Sequence, residues 1–266
     1  VNLRGASVAV TGASAGIGRA CALAFARAGA RLSLCARRAE RLEALAAEIA
    51  AGGGEALVMA VDVAVEAQVH AFVAAAVARF GSLDVLVNNA GYGVRGRVEE
   101  TPAAQYRELM EVNYLGTVYG CQAALPVMRR QGRGLIVNVS SIVGRRAFPG
   151  GAAYGATKAA QVSLTEALRV ELRGTGVFAT CVHPVATATE FAEVAARLSP
   201  GRSGGPMGPR QTAEGVAGAI VRAAARARPP AEVYPYALSR PLVWLNALSP
   251  RLMDAVTARM AARSGR

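Results

Sequence analysis

The chain has 266 residues, is 53% apolar and carries a formal net charge of +12. That length suits one α/β domain with a large core, and no apolar run approaches the roughly 18 residues of a membrane span. The charge would suit a nucleic-acid binder, but the arginines are spread along the chain and only 5% of residues are aromatic, so no nucleic-acid partner is expected.

Val1–Gly5 shows no charged-then-apolar leader pattern, which implies a cytoplasmic setting. Ser7–Thr11 reads as a strand, and Ile17–Ala28 as a helix ending at Gly29. Arg31–Cys35 is strand-like, and Glu40–Ala51 is a helix stopped by Gly52-Gly53-Gly54. Ala56–Ala60, Val65–Phe80 and Asp84–Val87 continue the alternation as strand, helix and strand. A long helical stretch covers about Ala103–Arg130, followed by strand Leu135–Val139, helix Ala153–Arg173 and strand Val177–Val182. Short β-branched strands alternating with helices predict a Rossmann-type, doubly wound parallel sheet with helices on both faces. Pro200–Pro209 is too rich in glycine and proline for regular structure, and a helix is expected at about Thr212–Ala227. No repeat or linker divides the chain. The expectation is one domain over 1–266, with a core to about residue 189, a flap over 190–211 and a helical extension over 239–266.

The first strand runs through Thr11-Gly12-Ala13-Ser14-Ala15-Gly16-Ile17-Gly18 straight into a helix. Glycines there let the backbone turn sharply and approach a diphosphate at the helix N-terminus. Alone such a loop could be an ordinary strand–helix turn, but its place between the first strand and first helix points to a nucleotide. Past the second strand, where an acid would favour NAD(H), stand Ala36 and then Arg37-Arg38. A guanidinium suits a 2′-phosphate, and the missing acid removes repulsion against it, so NADP(H) is favoured over NAD(H).

Further along, Tyr154 and Lys158 lie four apart, on one face of a helix. Lys158 is the only lysine; with 7 tyrosines in 266 residues, chance would put one four places before it about 3% of the time. A phenol with an ordinary pKa of about 10 is a poor base at neutral pH, and an adjacent ammonium together with a cationic nicotinamide would favour the phenolate. Cys21, Cys35, Cys121 and Cys181 are widely spaced, and His70 and His183 are the only histidines. They predict buried thiols and no metal site.

These motifs, in this order, resemble the short-chain dehydrogenase/reductase family over roughly residues 5–190. T-G-x-x-x-G-I-G stands at Thr11–Gly18 and N-N-A-G at Asn88-Asn89-Ala90-Gly91, while Asp62, followed by Val63, matches the acid that contacts adenine. The resemblance implies Ser141, thirteen residues before Tyr154, as the serine bonding the substrate oxygen, with Ser140 the less favoured alternative. It implies that Asn113 holds a water linking Lys158 to solvent, and that Lys158 bonds the nicotinamide ribose. Where the family has P-G-x-V-x-T, this chain reads Pro184-Val185-Ala186-Thr187-Ala188-Thr189, with Pro184, Thr187 and Thr189 as candidate carboxamide contacts. The family also implies a small carbonyl or alcohol substrate and a homodimer or homotetramer paired through the helices of Asn113 and Tyr154. A rival reading is a regulatory or scaffold protein that binds NADP(H) without turnover. Pro241–Leu248, with the single tryptophan Trp244, and the helical spacing of Leu252, Met253, Val256 and Met260 fit three roles. Packing on its own domain or a neighbouring subunit is preferred to an apolar substrate channel. A membrane-surface contact through Arg251, Arg259, Arg263 and Arg266 comes last.

Overall fold

The computed structural model describes residues 1–202 and 208–264. Residues 203–207 of the expected flap and Arg266 lie outside the described residues, as does the side chain of Arg263. The first half alternates β1 (Ser7–Thr11), α1 (Gly16–Arg27), β2 (Arg31–Ala36), α2 (Ala39–Ala51), β3 (Glu55–Ala60), α3 (Glu66–Phe80) and β4 (Val85–Asn88). There follow α4 (Ala103–Leu109), a π-helical turn over Met110–Leu115, α5 (Gly116–Gln131), β5 (Gly134–Val139), α6 (Ala152–Glu171) and β6 (Val177–Val182). The chain closes with β7 (Ala186–Ala188), α7 (Phe191–Arg197), β8 (Arg210–Thr212), α8 (Ala213–Ala224), β9 (Glu232–Val233), α9 (Ser239–Leu248) and α10 (Pro250–Ser264).

Seven strands form one parallel sheet in the order β3-β2-β1-β4-β5-β6-β9. The strands are apolar at nearly every position because both faces are covered. Val8, Val10, Leu32, Leu34, Val85 and Val87 pack against Phe25 of α1, Leu42 and Leu45 of α2, and Val216 and Ile220 of α8. The intervening residues Ala9, Cys35, Leu86 and Ile136 meet Phe72 of α3, Met128 of α5 and Leu168 of α6 on the other face. Alternate strand residues thus serve opposite layers. After β3 the chain returns to pair β4 with β1, so the strand order reverses between them and a crevice opens beyond their carboxyl ends.

The elements expected through Val182 are all present, with ends shifted by one or two residues. The expected helix at Ala103–Arg130 is a single rod interrupted by the π turn, which carries Asn113. The expected helix at Thr212–Ala227 is α8, capped by the Thr212 hydroxyl accepting from the Gly215 amide at 3.0 Å. Three strands escaped the sequence reading. β9 has two residues, and β7 and β8 have three each and pair only with one another. All are too short for a periodicity to register.

Candidate functional site

The loop after β1 and the loop after β4 meet at the crevice. Gly12 has φ +65°, and a Cβ on it would lie 2.7 Å from the Ala90 Cα. A Cβ on Gly18 would lie 2.3 Å from the Gly12 carbonyl oxygen and 2.5 Å from Asn89 Nδ2, so any side chain there would displace the loop. Asn89 holds the loop in return, donating to the carbonyls of Thr11 at 3.0 Å and Gly12 at 3.3 Å. The Thr11 hydroxyl accepts from the amides of Asn89 and Ala90 at 3.0 and 3.1 Å. Helix α1 then starts at Gly16 with no side-chain cap and no acid in its first turn, a favourable place for an anion.

A hollow of about 310 Å³ beside this loop is lined by Ser14, Ala15, Gly16, Arg41 and Glu190, among others. Arg38 donates to the Ser14 hydroxyl at 3.0 Å, and one Glu190 carboxylate bridges Arg38 at 3.0 Å and Arg41 at 2.5 Å. These two guanidinium groups hold the Glu190 carboxyl below the usual carboxylate range. Arg37 is exposed. Arg41 escaped the sequence reading because it sits inside α2, where an arginine reads as an ordinary solvated helix residue. Asp62, past β3, accepts from the Ala64 amide at 3.0 Å, and buried Val63 packs beneath Gly116. A wider hollow of about 760 Å³ lies at the opposite end of the strands, around Val1, Asp84 and Arg133. It contains neither the glycine loop nor Tyr154, so its size carries no functional weight.

At the other end of the crevice, Ser141 follows β5 and Tyr154 and Lys158 stand on α6. The Ser141 hydroxyl donates to the Pro184 carbonyl at 3.3 Å and accepts from the Val143 amide at 3.3 Å. Ser140 turns away and donates to the Lys158 carbonyl at 2.8 Å, which separates the two candidate serines. Tyr154 packs against Phe191 of α7 at 5.2 Å between centroids, a contact no motif announced. Burial pushes the Tyr154 phenol well above its ordinary range, and the Ser141 side chain draws it partly back. The Lys158 ammonium sits 5.6 Å from the Tyr154 ring centroid, and burial pulls its pKa down to about 8.

Asn113 is fully buried. Its Oδ1 accepts from the Tyr92 amide at 3.0 Å, and its Nδ2 donates to the Tyr92 carbonyl at 2.9 Å and the Thr157 hydroxyl at 3.0 Å. A Cβ on Gly91 would lie 2.8 Å from Asn113 Oδ1, so the bare backbone at Gly91 is what lets the two approach. Beyond β6, Thr187 donates to the Val185 carbonyl at 2.9 Å, and Thr189 packs on Gly16. The segment with the unusual Val185 is thereby short strand β7 paired to β8. Among the described residues no group of His, Cys, Asp and Glu could hold a metal, and no helix is long and apolar enough to cross a membrane.

A glycine-rich turn at a strand-order reversal, facing a Ser–Tyr–Lys set across one crevice, defines a dinucleotide-dependent oxidoreductase of Rossmann type. The short chain dehydrogenase family model matches residues 6–197, and the chain belongs to that family. It is 41% identical over 179 residues to the 2-(R)-hydroxypropyl-CoM dehydrogenase of Xanthobacter autotrophicus, covering 66% of this chain and 72% of that one. A short-chain dehydrogenase/reductase from Burkholderia phymatum solved with NAD superposes with a TM-score of 0.85 at 29% identity, covering 95% of this chain and 96% of that one. An alcohol dehydrogenase from Thermococcus sibiricus solved with 5-hydroxy-NADP gives 0.74 at 32% identity, covering 85% and 94%. The protein is accordingly an NAD(P)-dependent oxidoreductase.

Proposed function

We propose that this oxidoreductase prefers NADP(H) and interconverts a carbonyl and a secondary alcohol, with Tyr154 as acid/base. The observation that carries the reading is the convergence of Ser141, Tyr154 and Lys158 at one end of the crevice, with the Lys158 ammonium 5.6 Å from the Tyr154 ring centroid. The bare-backbone approach of Gly12 to Ala90 and of Gly18 to Gly12 fits a diphosphate. Gly12, Ser14, Ala15, Gly16, Ile17 and Gly18 would cradle it, with Asp62 and Val63 at the adenine. Asn89, Ala90, Gly91 and Lys158 would take the ribose side, and Pro184, Thr187 and Thr189 the carboxamide.

For the 2′-phosphate the reading assigns Arg37 and Arg38, and adds Arg41. The Glu190 carboxylate between Arg38 and Arg41 supports this, since it is an anion already resting at the arginine pair. The bound nicotinamide supplies or accepts the hydride. Ser141 and Tyr154 hydroxyls donate to the substrate oxygen, Tyr154 delivers or removes its proton, and Lys158 favours the phenolate by its charge. We also assign a homodimer or homotetramer paired through α5 and α6.

The test is equilibrium binding of NADPH and NADH by thermal shift, followed by turnover over a panel of ketones. NADPH should bind at least about tenfold tighter than NADH. Tyr154→Phe should keep NADPH affinity while losing about a thousandfold or more in kcat. Residual turnover near wild type would refute the acid/base role. Binding without wild-type turnover on any ketone would favour the regulatory or scaffold reading.

A further inference from the structure

Lys158 raises a physical problem that the residues assigned above do not solve. Lys158 is buried, at 4% exposure, and among the described residues no carboxylate pairs with its ammonium, so burial favours the neutral amine. The titratable groups facing it are Tyr154 on its own helix and Cys181 on β6, both of which burial keeps protonated. On its remaining sides are the Val139 carbonyl and a neutral amide. Lys158 Nζ donates to the Val139 carbonyl at 2.8 Å and to Gln161 Oε1 at 2.9 Å.

Gln161, one turn further along α6, is fully buried. Its Nε2 donates to the Asn113 carbonyl at 2.7 Å and to the Thr117 hydroxyl at 2.7 Å, so both amide hydrogens are committed. Thr117 in turn donates to the same Asn113 carbonyl at 2.9 Å. Reversing the amide would point its NH₂ at an ammonium and its carbonyl at another carbonyl. The orientation is therefore dictated by the partners and not by assignment. A lone neutral acceptor could swing away from Lys158, but this one is anchored on its far side to the π turn.

We propose that Gln161 is a positioning residue for Lys158: its amide, anchored by the Asn113 carbonyl and Thr117, keeps the buried ammonium charged and fixes its direction beside Tyr154. The Asn113 end of the site is thereby connected to Lys158 through a side chain of the protein itself. Two of the three ammonium hydrogens are held by Val139 and Gln161, which leaves one for the crevice. This deepens the proposed function and rests on Lys158 serving Tyr154.

The single lysine makes the test direct, because the full chain labelled with ¹³Cε-lysine gives one side-chain resonance that needs no assignment. Its pH titration reports the Lys158 proton alone. Gln161→Met keeps the length and removes the acceptor, and should lower the midpoint by about one pH unit or more, tenfold in proton affinity. Gln161→Glu places a carboxylate in the same position and should raise the midpoint above wild type. Opposite shifts support the proposal. A wild-type midpoint in whichever of the two variants folds would overturn it, as would a shift of the opposite sign. A merely structural glutamine would change the melting temperature and leave the midpoint in place. The resonance is read without turnover, so its failure leaves the Tyr154→Phe experiment standing, and the converse holds.

Discussion

At the β2 end of the crevice the polar groups are charged and exposed, whereas at the α6 end they are buried and almost all neutral. Arg38, Arg41 and Glu190 keep 44%, 47% and 42% of their side-chain surface in solvent. Asn113, Thr157 and Gln161 are fully buried and Lys158 nearly so, each with protein partners. Exposed ion pairs are screened and cost little to rearrange, so Glu190 can yield to another anion. A buried network cannot give up one member without stranding the others, which holds Tyr154, Lys158 and the Asn113 turn in one geometry. On the proposed reading, the end that would distinguish cofactors is adjustable, and the end that would do chemistry is stiff.

Removing the frame common to both ends should have the largest effect. Gly18→Val drives a side chain into the Gly12 carbonyl and Asn89. NADPH and NADH affinity should both fall by at least about a hundredfold, read by titration of the folded variant. An unchanged affinity would detach the glycine loop from the cofactor. Next comes the stiff end: Ser141→Ala should lower kcat about a hundredfold while NADPH affinity holds. Equal losses in affinity and kcat would make Ser141 a scaffold for the loop instead.

The adjustable end should respond more weakly and depend on salt. Arg38→Ala should weaken NADPH about tenfold and NADH hardly at all, with the NADPH difference shrinking as salt rises. Equal losses for both cofactors would remove Arg38 from the 2′-phosphate.

The smallest effect tests the stiffness itself. His183 lies fully buried behind Ser141, its Nδ1 3.5 Å from the Ser141 carbonyl and its ring stacked 4.7 Å from Tyr234. Burial, followed by the Arg145 charge, pushes its pKa down to about 4. The unfolded chain therefore takes up this proton first. The contribution is present above about pH 6.5 and is lost as pH falls towards 4, at most about 3 kcal/mol. Denaturant unfolding of wild type and His183→Phe should show a steeper loss for wild type between pH 6.5 and 4.5. Parallel curves would place His183 in a solvated setting.

Much of the site could be read from the sequence because its chemistry demands particular residues at short spacing. Gly12, Gly16 and Gly18 announce a backbone that something must approach closely, and Tyr154 with the lone Lys158 announces one helix face. Arg41, Phe191 and Gln161 were invisible for the opposite reason. Each belongs to an ordinary helical pattern, and its importance comes from a partner at least 37 residues away: Glu190 for Arg41, Tyr154 for Phe191, Asn113 for Gln161. The π turn at Asn113 was equally silent, since one widened turn barely disturbs the apolar period of a rod running from Ala103 to Gln131.

The sequence by itself determined the alternating strands and helices, the parallel sheet and the glycine-rich turn between the first strand and first helix, because local periodicity and glycine placement carry that information. Tertiary structure alone decided which groups meet the ammonium of Lys158, and that burial raises the Tyr154 phenol and lowers the Lys158 ammonium. Those outcomes depend on distance and desolvation between elements far apart in the chain, and no spacing within a segment encodes them.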